Sequence, residues 1–123
     1  MNISENYLKS GFIINKINKT KELHYLTNFI KSNIVSFLNF KKKETLDLNK
    51  LHKYIGKDLN KLRLFLINKL NKDLKFKDYL FEIAKSEIFE IVGNELAIQK
   101  NINLSIQCPN DDSSLLPIHS DTW

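Results

Sequence analysis

The hydrophobic periodicity of this chain changes near residue 93, and this change limits the folds open to it. Up to that point, apolar residues recur every three or four positions, which is typical of amphipathic helices. From residue 96 to residue 108 the even positions are apolar apart from Lys100, and the odd positions from residue 99 are polar. Side chains of a β-strand point to opposite faces in turn. We therefore expect a helical part, residues 1–93, followed by strands in residues 94–123.

Helix start and stop signals divide the first part of the chain. A short helix over 3–10 should stop at Gly11, and the longest helix should begin at a cap from Asn18 or Thr20 and run to the Lys41–Lys43 triplet. Further helices are expected at 45–56, from Asp58 onward, and at 77–92. A turn-rich loop starting at Pro109 should separate the long strand from a second extended stretch.

Composition places the chain among ordinary globular proteins and limits its compartment. Its 123 residues fit one domain, and 42% of them are hydrophobic. The single cysteine, Cys108, cannot form an internal disulfide or a cysteine-rich zinc site. The sequence has no apolar run of about 18 residues and no basic segment followed by an apolar signal core. We therefore expect a cytoplasmic protein without a membrane partner.

The charge is basic but unevenly distributed. Residues 1–80 contain 17 basic and 7 acidic side chains, whereas residues 81–123 contain 2 basic and 7 acidic ones. All the basic residues but Arg63 are lysines, and the richness in Lys, Asn and Ile matches A/T-rich codons. Because readers of nucleic acid favour arginine for bidentate contacts, we do not expect nucleic acid to be the partner on the basis of charge alone.

The pair of residues with the clearest chemistry lies near residue 120. His119 and Asp121 are separated by one residue, so on a strand their side chains would point to the same side. One imidazole and one carboxylate are two thirds of the facial triad that holds Fe(II) in non-haem oxygenases. The alternative is that His119 is a structural residue that forms a hydrogen bond near a strand end.

The context of this pair resembles a known family. The segment from Asn101 to Trp123, NINLSIQCPNDDSSLLPIHSDTW, resembles the entry to the iron site of phytanoyl-CoA-dioxygenase-like Fe(II)/2-oxoglutarate oxygenases. Within them it is most similar to a branch found sporadically in bacterial carbohydrate-biosynthesis clusters. The segment from Tyr7 to Ile14, YLKSGFII, is similar to the family's opening helix and aromatic strand.

The resemblance implies an α+β fold, in which N-terminal helices precede the first strands of a double-stranded β-helix, or jelly-roll barrel. It also implies that His119 and Asp121 bind Fe(II), with 2-oxoglutarate as cosubstrate and O2 as the oxidant. Trp123 would then border the substrate cavity. The polar face of the long strand would suit the cosubstrate, and its candidate residues are Asn103, Ser105 and Gln107, for which an ordinary solvated strand face is the alternative.

The family's distal histidine and the basic residue that grips 2-oxoglutarate have no counterpart in this sequence. His24 and His52 lie upstream on predicted helices. We therefore expect the N-terminal part of an oxygenase or hydroxylase that acts on a sugar or polysaccharide-biosynthesis intermediate, inactive by itself. The alternatives are a small basic helical binding module for an acidic partner, without catalysis, and a helical scaffold in which the His119–Asp121 pair is coincidental.

Overall fold

A computed structural model describes residues 2–40 and 45–111, and within these ranges the regular structure is helical. Six α-helices follow one another in the described part of the chain: α1 (Ile3–Ser10), α2 (Thr20–Leu38), α3 (His52–Ile55), α4 (Leu59–Lys72), α5 (Leu74–Glu82) and α6 (Lys85–Val92). Short 3-10 turns cover Leu48–Lys50 and Gly56–Asp58. None of the described residues belongs to a β-strand.

Helix α1 confirms the helix predicted over residues 3–10. Its first turn carries a capping box, in which the Asn2 side chain accepts from the Glu5 backbone N–H and the Glu5 carboxylate accepts from the Asn2 N–H. Gly11 ends the helix with a φ of 76°, a left-handed conformation that glycine adopts without a steric cost.

Helix α2 confirms the longest predicted helix, but its ends differ from the prediction. Lys19 is the N-cap and makes no side-chain capping bond, so the cap expected from Asn18 or Thr20 is wrong. The helix ends at Leu38, where Asn39 takes a left-handed φ of 55° and its N–H closes the last turn. The Lys41–Lys43 triplet lies outside the described residues.

The helix predicted over residues 77–92 is two helices. Asp73 starts α5 earlier than expected, because its Oδ1 accepts the Phe76 backbone N–H at 2.6 Å. Ala84 then leaves helical geometry, with φ −127° and ψ 3°, and α6 starts beyond it. This break redirects the chain, since α5 packs mainly against α2 whereas α6 packs against α1.

Two apolar clusters form the core, and helices α2 and α4 contribute to both. The first cluster is built from Ile34, Leu46, Leu51, Ile55, Leu62 and Leu66. The second is built from Leu26, Leu70 and Phe76. Leu62, Leu66 and Leu70 lie one turn apart on the same face of α4 and are at most 1% exposed. This leucine stripe therefore runs along the contact between α4 and the rest of the core.

The prediction of an α+β fold with the first strands of a jelly-roll barrel is wrong for the residues that the structure describes. Residues 94–111 contain no strand. Exposure nevertheless alternates from residue 101 to residue 108, with the even positions half-buried and the odd ones exposed. The alternation of polar and apolar residues therefore does report one buried face, as it would in a strand. In this structure, however, that face is covered by helices and not by a second sheet.

Replacing Leu66 with alanine tests the leucine stripe on α4. Leu66 is 1% exposed, so we expect the Leu66→Ala protein to lose about 3 kcal/mol of unfolding free energy through the cavity it creates. Leu64, on the same helix, is 53% exposed, and Leu64→Ala should change stability by less than about 0.5 kcal/mol. Urea unfolding followed by circular dichroism measures both, and equal losses would contradict the described packing.

Candidate functional site

The most distinctive feature of the structure is an extended segment, residues 101–108, that lies across the helices and is called here the docked segment. Ile102 and Leu104 pack against the second core cluster. Leu104 also packs against the first cluster, together with Ile106 and Cys108. The docked segment therefore spans both clusters, and Leu104 contacts each of them. Cys108 is a half-buried thiol in apolar surroundings rather than an exposed nucleophile.

Asn71 of α4 fixes the backbone of the docked segment. Its Nδ2 donates to the Ile102 carbonyl oxygen at 2.8 Å, and its Oδ1 accepts from the Ile102 N–H at 2.8 Å. The same Nδ2 also donates to the Ile67 carbonyl at 2.9 Å, within α4. An asparagine side chain thus takes the place of a neighbouring strand, since it satisfies both backbone groups of one residue. This bond pair sets which residues of the segment face the core.

The three residues predicted to face a cosubstrate lie on the outer side of the docked segment. Asn103, Ser105 and Gln107 are all exposed, while their neighbours face the helices. Asn103 and Gln107 border separate cavities, of about 420 and 390 Å³, and Ser105 lines neither. This exposure agrees with a solvated face. Their assignment to 2-oxoglutarate remains a prediction.

The other predicted site residues, His119, Asp121 and Trp123, lie outside the described residues. The last described feature before them is a turn at 108–111. There the Asp111 N–H donates to the Cys108 carbonyl at 3.2 Å, and Asn110 has a φ of 59°. Pro109 followed by a residue with positive φ is typical of a tight reversal. The loop expected at Pro109 therefore begins as a turn.

Within the described residues, no group of three or more His, Cys, Asp or Glu side chains could hold a metal ion. His24 on α2 and His52 on α3 are both exposed on the helical surface. Neither therefore belongs to a preformed metal site in the part of the chain that the structure describes.

A charged cluster joins the start of α2 to the end of α5. The Glu82 carboxylate accepts from Lys19 Nζ at 2.7 Å and from Lys85 Nζ at 2.9 Å. The hydrogen bond from Lys19, and then that from Lys85, lowers the pKa of Glu82 below its ordinary value. The hydrogen bond to Glu82 raises the pKa of Lys19. All three groups are accessible to solvent, so the cluster orients the two helix ends rather than forming a buried reactive site.

A cavity lies between helices α5 and α6 and residues 96–102. Its volume is about 870 Å³, and it is open to solvent. Its lining is mainly apolar and includes Leu80, Phe81, Ile88, Leu96, Ile98 and Ile102. Lysine and acidic side chains contribute to the same lining, so its charges do not favour a ligand of one sign. The periodicity of separate segments carried no signal for this cavity, because it arises only where those segments meet.

Comparison with known proteins adds no relative: no protein-family model, no curated protein and no solved structure matches this sequence. The helices in the described ranges are also too short or too polar to cross a membrane.

The Asn71 bond pair predicts a measurable effect on the docked segment. Asn71→Ala removes the side-chain amide that hydrogen-bonds both the N–H and the carbonyl oxygen of Ile102. We therefore expect the Ile102 amide to exchange with solvent at least about 10-fold faster. Asn68 is exposed on the same helix, and Asn68→Ala should leave that exchange unchanged. Amide hydrogen exchange by NMR measures the rates. Equal rates in wild type and Asn71→Ala would show that Asn71 does not hold the segment.

Proposed function

We propose that this chain is the N-terminal part of a non-haem Fe(II)/2-oxoglutarate oxygenase that acts on a sugar or polysaccharide-biosynthesis intermediate. The observation that supports the proposal is the docked segment, an extended stretch fixed on a helical base with its polar side outward. In sequence it leads through the turn at Pro109 to His119 and Asp121. A fixed base of this kind would carry two metal ligands at a defined place.

The donor chemistry of His119 and Asp121 suits this role. An imidazole nitrogen and a carboxylate oxygen are both ligands that Fe(II) accepts in oxygenases. The resemblance places the third ligand and the group that binds 2-oxoglutarate well after the His–Asp pair, so in this proposal both come from outside these 123 residues. Bound iron would supply the activation of dioxygen, with 2-oxoglutarate as the reductant.

The chain's own residues would bind and position rather than react. Asn103, Ser105 and Gln107 present amide and hydroxyl groups outward, where a cosubstrate carboxylate could accept their hydrogen bonds. Trp123 would supply an aromatic surface for a sugar ring. With only two ligands, the chain by itself should bind Fe(II) weakly. It should not turn over 2-oxoglutarate, because the third ligand and the group that binds 2-oxoglutarate are missing.

Paramagnetic line broadening tests the metal ligands directly, since it detects weak binding. Substoichiometric Co(II), added as an oxygen-stable substitute for Fe(II), should selectively broaden the NMR signals of His119, Asp121 and their neighbours. His119→Ala should abolish this broadening, whereas His52→Ala, a change on the exposed surface of α3, should leave it intact. Broadening centred on His24 or His52, or no selective broadening, would contradict the proposal.

A second candidate function, binding of an acidic partner without catalysis, is supported by the charge of α4. The helix contains four basic residues and no acidic one, and Lys61, Lys69 and Lys72 are exposed. Lys61 forms an exposed ion pair with Asp58 at 2.9 Å, which screens it only weakly from a stronger anion. Lys61 and Lys72 lie on the side of the helix away from the leucine stripe, and Lys69 lies nearer its edge with its side chain still exposed.

Salt dependence tests this second function, with a fluorescein-labelled 20-mer of oligothymidine as the polyanionic probe. If about four basic side chains neutralise phosphates, the affinity should fall about 50-fold between 50 and 200 mM salt. The double variant Lys69→Glu/Lys72→Glu should weaken binding further, whereas Lys9→Glu on the exposed surface of α1 should have little effect. Binding that is unchanged by salt, or equal in both variants, would contradict a role for α4.

A further inference from the structure

The docked segment occupies a groove with the properties of a binding site for extended polypeptide. The floor of this groove is the two core clusters, and it accepts apolar side chains at alternate positions, namely Ile102, Leu104, Ile106 and Cys108. Asn71 holds both backbone groups of one residue of the occupant. Bonds to the backbone give affinity, and alternate side-chain contacts give specificity, as in the recognition of extended peptides by other proteins.

The occupant is joined to the helical core by a weakly held connection. After Gly93, which has a φ of 80°, residues 94–101 are exposed apart from Leu96. No hydrogen bond or ion pair between described residues involves residues 94–101. The connection therefore acts only as a covalent tether, and the contacts that hold the docked segment in place come from the groove itself.

We propose that this groove also binds the docked segment of a second copy of the chain, which gives a dimer by exchange of residues 101–108. The second copy is the occupant that fits, because its segment offers the same four side chains and the same Ile102 backbone groups that the groove already holds. The groove contacts are identical in the monomer and the exchanged dimer, so the two states differ in stability through the connection between the helices and the segment. This proposal does not depend on iron binding.

The balance between the two states follows from the tether. A short flexible connection gives its segment an effective concentration on the order of 1 mM near its own groove. Exchange should therefore become substantial at about 1 mM protein and negligible at about 0.05 mM. The fraction of exchanged dimer can therefore be changed through the protein concentration alone, without altering the groove.

Paramagnetic relaxation between two differently labelled copies tests the exchange. The donor is an unlabelled full-length chain with Cys108→Ala, which keeps that position apolar, and with Ser105→Cys carrying a spin label on its exposed side; the acceptor is the ¹⁵N-labelled wild-type chain. At 1 mM total protein, after equilibration, acceptor amides at Ile67 and Asn71 should broaden more than those of α1. The broadening should disappear at 0.05 mM.

Two donor variants separate exchange from nonspecific contact while the acceptor stays native. Ile102→Pro removes the N–H that Asn71 accepts, so this donor should lose most of the broadening. Asn101→Ala changes an exposed neighbour and should keep it. Broadening that is absent at 1 mM, that is unchanged by Ile102→Pro, or that spreads evenly over the acceptor surface would overturn the proposal.

Discussion

Burial of the leucine stripe on α4 is the interaction on which the rest of this structure depends. Leu62 and Leu66 belong to one core cluster and Leu70 to the other, so a single helix face joins the two. Helix α2 reaches the same clusters through Leu26 and Ile34. Each of these side chains removes apolar surface from water, which is the main favourable term in folding. The groove for the docked segment exists because these two helices are held together.

The helical part of the fold could be read from the sequence because its signals are local. The hydrophobic period and the glycine stop at Gly11 act within one or two turns, and they gave α1 and α2 to within a few residues, although the cap predicted for α2 was wrong. The break at Ala84 could not be read in this way, since residues on both sides keep a helical period. It follows from the different partners of α5 and α6, which is tertiary information.

The strand prediction was wrong for an instructive physical reason. Alternation of polar and apolar residues reports that one face of an extended chain is buried, and it does not report what buries it. Residues 101–108 keep this alternation, but their apolar side meets the helices, and Asn71 takes the place of a neighbouring strand for Ile102. An asparagine within a helical pattern carries no mark of such a partner in sequence. The contact of Asn71 with Ile102 could therefore not be predicted.

The candidate site, too, could be predicted from the sequence only in part. The residue types and spacing of His119 and Asp121 are enough to predict an imidazole and a carboxylate as a pair of metal ligands. Alternation placed Asn103, Ser105 and Gln107 together on one face of the segment, and the structure shows that face exposed to solvent. Which ligand they meet depends on groups brought from elsewhere in space. Local pattern holds no information about those groups.

The central claim is that an extended segment is held by helices rather than by a sheet, and nuclear Overhauser contacts of Leu104 measure this most directly. Contacts from the Leu104 methyl groups to buried side chains of both core clusters are the predicted result. The Ile102 backbone amide should also lie near the Asn71 side chain. Cross-strand Hα–Hα contacts from residues 101–108, without contacts from Leu104 to the helices, would contradict the central claim.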